Sequence, residues 1–269
     1  MDVIINADCS VVPEQAQLLA SQGKAILNFL YCLGYDAADP PVADVLRRAH
    51  DLEGDWLIVS PVTWMATHND AMIVAADKAL QLDEVTSKHW FQLYSDYLAV
   101  EHIRLYYHDA ETWLLHTVNK PPINAKPVHQ LIHHSLMPEL AQLDSTMYWQ
   151  KFFTEGQMFF ASHSNQSALN GVWLWGGAHL ADKKSIAICA DESFFSIAQI
   201  CSGNVTLYSP SVELKQYSIL LLSDVDILSK QHQDELKKMS VCWYWNNFAF
   251  TLKNRNWLTR LWRNLTHAH

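Results

Sequence analysis

The chain has 269 residues, 49% hydrophobic and 17% charged, enough apolar material for a sizeable core and too much for a disordered chain. Its 28 acidic residues against 19 lysines and arginines give a net charge of −9, which disfavours nucleic acid as a partner because phosphate backbones need clustered positive charge. Five scattered cysteines, odd in number and without a CxxC spacing, read as reduced thiols and exclude a disulfide-stapled scaffold. No apolar run approaches the roughly 18 residues that cross a bilayer, so no transmembrane segment is expected. Met1 to Asn6 has no basic region before an apolar one, so no signal peptide is expected and a cytoplasmic location is.

Val3 to Asn6 is a β-branched run that predicts a strand with Asp8 at its carboxyl end. Pro13-Glu14 suits a helix start, and the apolar stripe from Leu18 to Leu33, closed by Gly34, predicts a helix over this stretch. Asp39-Pro40-Pro41 breaks the chain before a short helix, Val42 to His50. Asp55 to Ser60 reads as a buried strand stopped by Pro61, followed by helices from Asn69 to Leu80 and from Asp83 to Val100. His102 to Tyr107 and Thr112 to Val118 predict a β-hairpin, and Asn119 to Lys126 a loop. Further helices are predicted at Pro127 to Leu136 and Thr146 to Ala161.

Asn170 to His179, Asn-Gly-Val-Trp-Leu-Trp-Gly-Gly-Ala-His, organises the rest. Alternation puts Trp173 and Trp175 on one side of an extended segment and Val172 and Leu174 on the other. Gly176-Gly177 then permits a tight turn. Two readings stand side by side: a ligand-binding loop at the carboxyl edge of a parallel sheet, or a core strand with a tight exit. Beyond it, Ser185 to Ala190, Asn204 to Tyr208 and Tyr217 to Leu222 read as strands, with helices at Glu192 to Cys201 and Ser229 to Met239. Val241 to Leu252 reads as extended and Trp257 to Leu265 as a basic amphipathic helix. The alternation predicts an α/β fold: a mainly parallel sheet covered by helices on both faces, one domain over 1–269 with a helix-rich and hairpin insertion at 63–160.

Ser60-Pro61-Val62, Glu155-x-Gln157-Met158 ahead of His163, the segment Asn170 to Gly177 and the Trp-rich close from Trp257 to Arg263 together resemble the bacterial RpfE-type regulatory proteins, a family described as cofactor-independent phosphoglycerate mutase-like. The resemblance implies an ancestry shared with alkaline phosphatases, which hold two divalent metals with Asp and His beside a Ser or Thr nucleophile. This chain has Ser60 and Thr63 where the family has Asp and His, and the Asp-His dipeptide of those enzymes is absent from it.

Other pairings offer weaker chemistry. His129 and His133 have the spacing of a chelating helix face, and His102, His108 and His116 the even spacing of a hairpin face. Solvated or hydrogen-bonded histidines are the plainer reading of both. Glu155 and His163 can do acid–base work if they converge, or cap a helix if they do not. Cys9 lies between Asp8 and Ser10, where a carboxylate would blunt a thiol nucleophile. GxGxxG, Walker A and GxSxG patterns are absent.

Two functions follow. The preferred one is a regulatory or ligand-binding protein on a degenerate mutase-like scaffold, recognising a small molecule or a protein through Asn170, Trp173, Trp175, Gly176 and Gly177, with no particular cofactor implied. The alternative is a phosphomutase or phosphatase using Mn or Zn held by Asp8, Asp191, Asp224 and Asp226, with Ser10 as nucleophile and Glu155 or His163 assisting.

Overall fold

A computed structural model describes residues 1–163 and 168–252; the expected basic helix at 257–265 lies outside them. In chain order the elements begin with β1 (Asp2–Ile5), β2 (Ala16–Leu19), α1 (Ala25–Cys32), α2 (Val42–Ala49), β3 (Trp56–Ala66) and β4 (Ala71–Ala76). They continue with α3 (Glu84–Ala99), β5 (Leu105–Tyr107), β6 (Trp113–His116), α4 (Met137–Ala141), α5 (Tyr148–His163) and β7 (Gly171–Trp175). The last are β8 (Lys184–Ala190), α6 (Glu192–Cys201), β9 (Ser202–Leu207), β10 (Ile219–Leu222), α7 (Lys230–Leu236), β11 (Cys242–Tyr244) and β12 (Ala249–Leu252). The sequence predicts one domain with an insertion at 63–160. The structure shows two compact units, and 63–160 falls inside the one that runs from Ala38 to Leu180. Each unit completes its own hydrogen-bonded sheet.

The unit formed by Met1–Ala37 and the chain from Ala181 carries a sheet in the order β2-β12-β11-β1-β10-β8-β9. From β11 to β9 every pairing is parallel, as the strand–helix alternation predicts, while β12 and β2 add an antiparallel edge. Val3, Ile5, Leu220, Leu222, Trp243, Trp245 and Phe250 form the core of this unit. The mixed α/β class therefore holds. The helix expected from Pro13 does not. Its first half becomes β2, which pairs with β12, and α1 starts only at Ala25. Helix-forming side chains yield here to a long-range anchor: the buried Asn28 side chain accepts from Gln22 N at 2.7 Å and donates to Trp245 O at 3.1 Å.

The unit Ala38–Leu180 is built on β3, which pairs antiparallel with β7 along one edge and with β6 and then β4 along the other. Pro61 does not stop this strand. Val62 O accepts from Asn170 N, so Val62 turns its polar atoms toward β7 and Pro61 turns its nitrogen the other way. There, β6 pairs only as far as Val59 and β4 only from Val62, so the missing N–H leaves no ladder bond unmade. The helix expected from Asn69 to Leu80 is instead the returning strand β4, turned at Thr67–Asp70, followed by one 3-10 turn. β-Branched Ile73 and Val74 fit that pairing better than a helix. Likewise, the helix expected at 127–136 is a single 3-10 turn, with α4 beginning at Met137.

Asn28→Ala is expected to cost about 1–3 kcal/mol, because it strands the Gln22 N–H in a buried position. Urea unfolding at neutral pH measures this, and an unchanged midpoint would show that the anchor is dispensable.

Candidate functional site

The tryptophan ribbon is a strand, as its alternation predicts, but it lies in the antiparallel sheet rather than at the rim of the parallel one. Every residue of β7 is buried. Its polar atoms point inward: Trp173 Nε1 donates to Lys126 O and Trp175 Nε1 to Ser60 Oγ, each at 2.9 Å. Asn170 binds the backbone of Trp64 twice, accepting from its N at 2.6 Å and donating to its O at 2.9 Å. Gly176 has φ +74°, and a Cβ on it would lie 2.9 Å from Val42 Cγ1. One on Gly177 would lie 2.7 Å from Leu57 Cδ2. The geometry at these five residues is that of a sheet holding itself together.

Two of the other candidate acids, Asp191 and Asp224, are likewise engaged in local structure. Asp191 caps α6, one oxygen accepting from Phe194 N and the other from Ser223 N and Oγ. Asp224 caps a 3-10 turn by accepting from Asp226 N. Asp8, Ser10, Asp224 and Asp226 are exposed. Among the described residues no three His, Cys, Asp or Glu side chains are grouped to hold a metal ion. Cys9 is buried, which pushes its thiol pKa up, and its Sγ–H donates to Val11 O.

The histidines do not group as their spacing suggests. His108 meets His50, which also bonds Tyr106, whereas His116 accepts from Arg104 Nη2 at 2.9 Å. Burial and then the Arg104 charge lower the His116 pKa. His129 sits in the 3-10 turn and His133 beyond it at φ +61°, so they share no helix face.

Glu155 and His163 do line one feature, the groove between α3 and α5. Trp90 packs on Phe160, Tyr94 on Phe159 and Phe160, and Tyr97 on Phe159, with 4.6 Å between centroids in the last pair. Glu101 shares a hollow with Phe152, so the two helices run antiparallel. The contact is close because α5 has Gly156 where a Cβ would lie 3.1 Å from Tyr94 Oη. The opposite side of α5 rests on β7, with Phe153 stacked on Trp173 at 4.9 Å and 6°.

Along the groove, Glu155, Phe159 and His163 follow at i, i+4 and i+8 on one helical stripe. The His163 ring lies 4.4 Å from that of Phe159, and its Nδ1–H donates to Phe159 O. Eight residues of helix separate Glu155 from His163 by about 12 Å, so they do not share a proton. The carboxylates of Asp96, Glu101 and Glu155 border the groove. Burial, then Glu155 and Glu101, raise the Tyr97 phenol pKa, a sign of the negative field there. Tyr94 Oη is buried without a hydrogen-bond partner, and burial first, then neighbouring tyrosines and the two glutamates, push its pKa up.

Sequence reasoning misses Asp96, Tyr97, Glu101 and Phe159. The available signal is the apolar excess at the end of α3, where Tyr97 and Val100 fall outside the core stripe of Trp90, Tyr94 and Leu98.

No protein-family model matches the chain, and no curated protein matches it. Among solved structures, the cofactor-independent phosphoglycerate mutase from Thermoplasma acidophilum DSM 1728 is similar at a TM-score of 0.32 and 12% identity, over 84% of this chain and 76% of that one. So distant a likeness does not bear on the chemistry of this chain.

Gly176→Ala is expected to cost about 2–4 kcal/mol, from the left-handed backbone together with the clash at Val42. Met158→Ala, at a side chain 68% exposed, should leave the urea midpoint nearly unchanged. Equal effects would contradict the structural role given to the glycine.

Proposed function

We propose that this chain is a regulatory or ligand-binding protein that works by recognition, without phosphomutase activity, and that its recognition surface is the α3–α5 groove. The observation that carries the proposal is the set of exposed apolar side chains along α3 and α5: Tyr97, 37% exposed, lines two adjoining hollows there, with Val100, 82% exposed, in one and Met158, 68% exposed, in the other. Apolar residues gathered on a surface and bordered by charge mark a binding face more often than a solvated one. Glu155 and His163 serve there as binding groups. Asn170, Trp173, Trp175, Gly176 and Gly177 keep the scaffold rigid beneath it. The likeness of Asn170 to Gly177 to the RpfE-type regulatory proteins accords with this role.

The alternative, phosphoryl transfer with Mn or Zn held by Asp8, Asp191, Asp224 and Asp226, has less to support it. A two-metal site needs several carboxylate oxygens free to face the ions. Both oxygens of Asp191 are engaged by the backbone and by Ser223, and Asp224 is engaged in its cap.

Incubation of the full chain with Mn²⁺ or Zn²⁺ and either 3-phosphoglycerate or p-nitrophenyl phosphate is expected to give no turnover above the metal-only blank. Stoichiometric bound metal, with turnover that disappears in Asp8→Asn or Ser10→Ala, would establish the alternative.

A further inference from the structure

We infer that the α3–α5 groove is a docking site for a basic amphipathic helix of another protein, which lays its apolar stripe on Tyr97, Phe159 and Met158 and its cationic side chains against Asp96, Glu101 and Glu155. The inference rests on the reading of this chain as a recognition protein and names the class of partner.

Three features point to this occupant. The first is shape. The trough is lined from Leu93 to Glu101 on the α3 side and from Phe152 to His163 on α5, which offers about 17 Å of length, about three turns of a third helix. It is open along its side, as helix-in-groove recognition requires, rather than closed around a small molecule.

The second is surface chemistry. The floor is aromatic, through Tyr97 stacked on Phe159 and the His163 ring beyond, and Met158 adds a flexible apolar side chain that adapts to whatever packs on it. Anchors spaced at i, i+3 and i+4 on an incoming helix would meet this stripe side chain to side chain.

The third is charge. Three carboxylates border the groove, and one nearby cation, Lys151, is already opposite Glu155 at 3.4 Å on the same helix. At one end Glu101 and Glu155 share a hollow with Tyr94, whose buried hydroxyl has no hydrogen-bond partner. A lysine or arginine head in that hollow would face two carboxylates, a setting that favours cations. An acidic helix would meet like charge at Asp96, Glu101 and Glu155.

The test uses the full chain and a fluorescein-labelled, amidated peptide of about 18 leucine and lysine residues with leucines at i, i+3, i+4 and i+7. Two controls accompany it, the same peptide with glutamate for every lysine and a scrambled one without an aligned stripe. Fluorescence anisotropy is expected to show saturable binding of the first peptide, tighter than that of the scrambled one and absent for the glutamate one, weakened about tenfold by Glu155→Lys and again by Met158→Lys, and weakened by added salt. Both substitutions lie on the exposed or half-exposed face of α5, so urea midpoints confirm that the variants are folded. Because the chain carries a net charge of −9, general attraction of a cationic peptide is expected, and the variants decide whether it docks here. Binding that the variants leave unchanged, equal binding of the glutamate peptide, or no binding at all overturns the inference. Self-association of the chain that Met158→Lys abolishes would instead make a second copy the occupant, and also overturns it. None of these results produces phosphate-ester turnover, so failure here remains distinct from failure of the recognition reading.

Discussion

The unit that carries the groove depends on one strand being paired along both of its edges. β3 runs from Trp56 to Ala66 with β7 on one edge and β6 and β4 in turn on the other, and the Asn170 side chain closes the end of the β3–β7 ladder on Trp64. Each indole N–H of β7 is satisfied by a fixed acceptor, Lys126 O or Ser60 Oγ, so two large side chains are buried without an unpaired donor. This arrangement gives α5 a flat aromatic seat in Trp173, on which Phe153 stacks, with Trp64 tilted beside both.

From that seat the groove follows. With Phe153 on β7 and Gly156 and Phe160 buried against α3, the periodicity of α5 leaves Glu155, Met158 and His163 along the groove that Tyr97 and Asp96 of α3 also line. Gly156 sets how closely the helices approach, because only a residue without a side chain leaves room for the Tyr94 hydroxyl. The outcome is a buried aromatic floor with exposed methionine and valine and bordering carboxylates above it. A surface of this kind gains little by folding alone, since its apolar atoms stay in water. It gains when a partner covers them.

Much of the fold was legible in the sequence, and most of what was not turns on strand pairing. β1, α3, α6, β7, β8 and β10 show clear periodicity, apolar runs or caps, and each forms within a few residues of its predicted span. The failures are β2, β4 and the stretch at 127–136: β2 and Ile132 pair with residues far away in the chain, β12 and Ile73, whereas β4 turns straight back on its neighbour β3, where its β-branched residues favour the strand. Pro61 misled because whether a proline ends a strand depends on which edge its nitrogen faces. The Trp-Gly stretch was legible as a strand with a tight exit, yet its sheet was not, since alternation does not distinguish parallel from antiparallel partners. The groove was the least legible feature. Its two walls are 50 or more residues apart, and only their exposed apolar side chains hint at it.

The central claim is that the tryptophan ribbon is scaffold and that recognition lies on the helices it supports. Native-state hydrogen exchange of the Trp173 and Trp175 indole N–H groups, followed by NMR, tests this most directly. Exchange only through unfolding of the whole sheet, with the same free energy as the β3 amides, is the predicted result. Exchange of either indole on the timescale of an open loop would place the ribbon at a solvent-facing site and contradict the account.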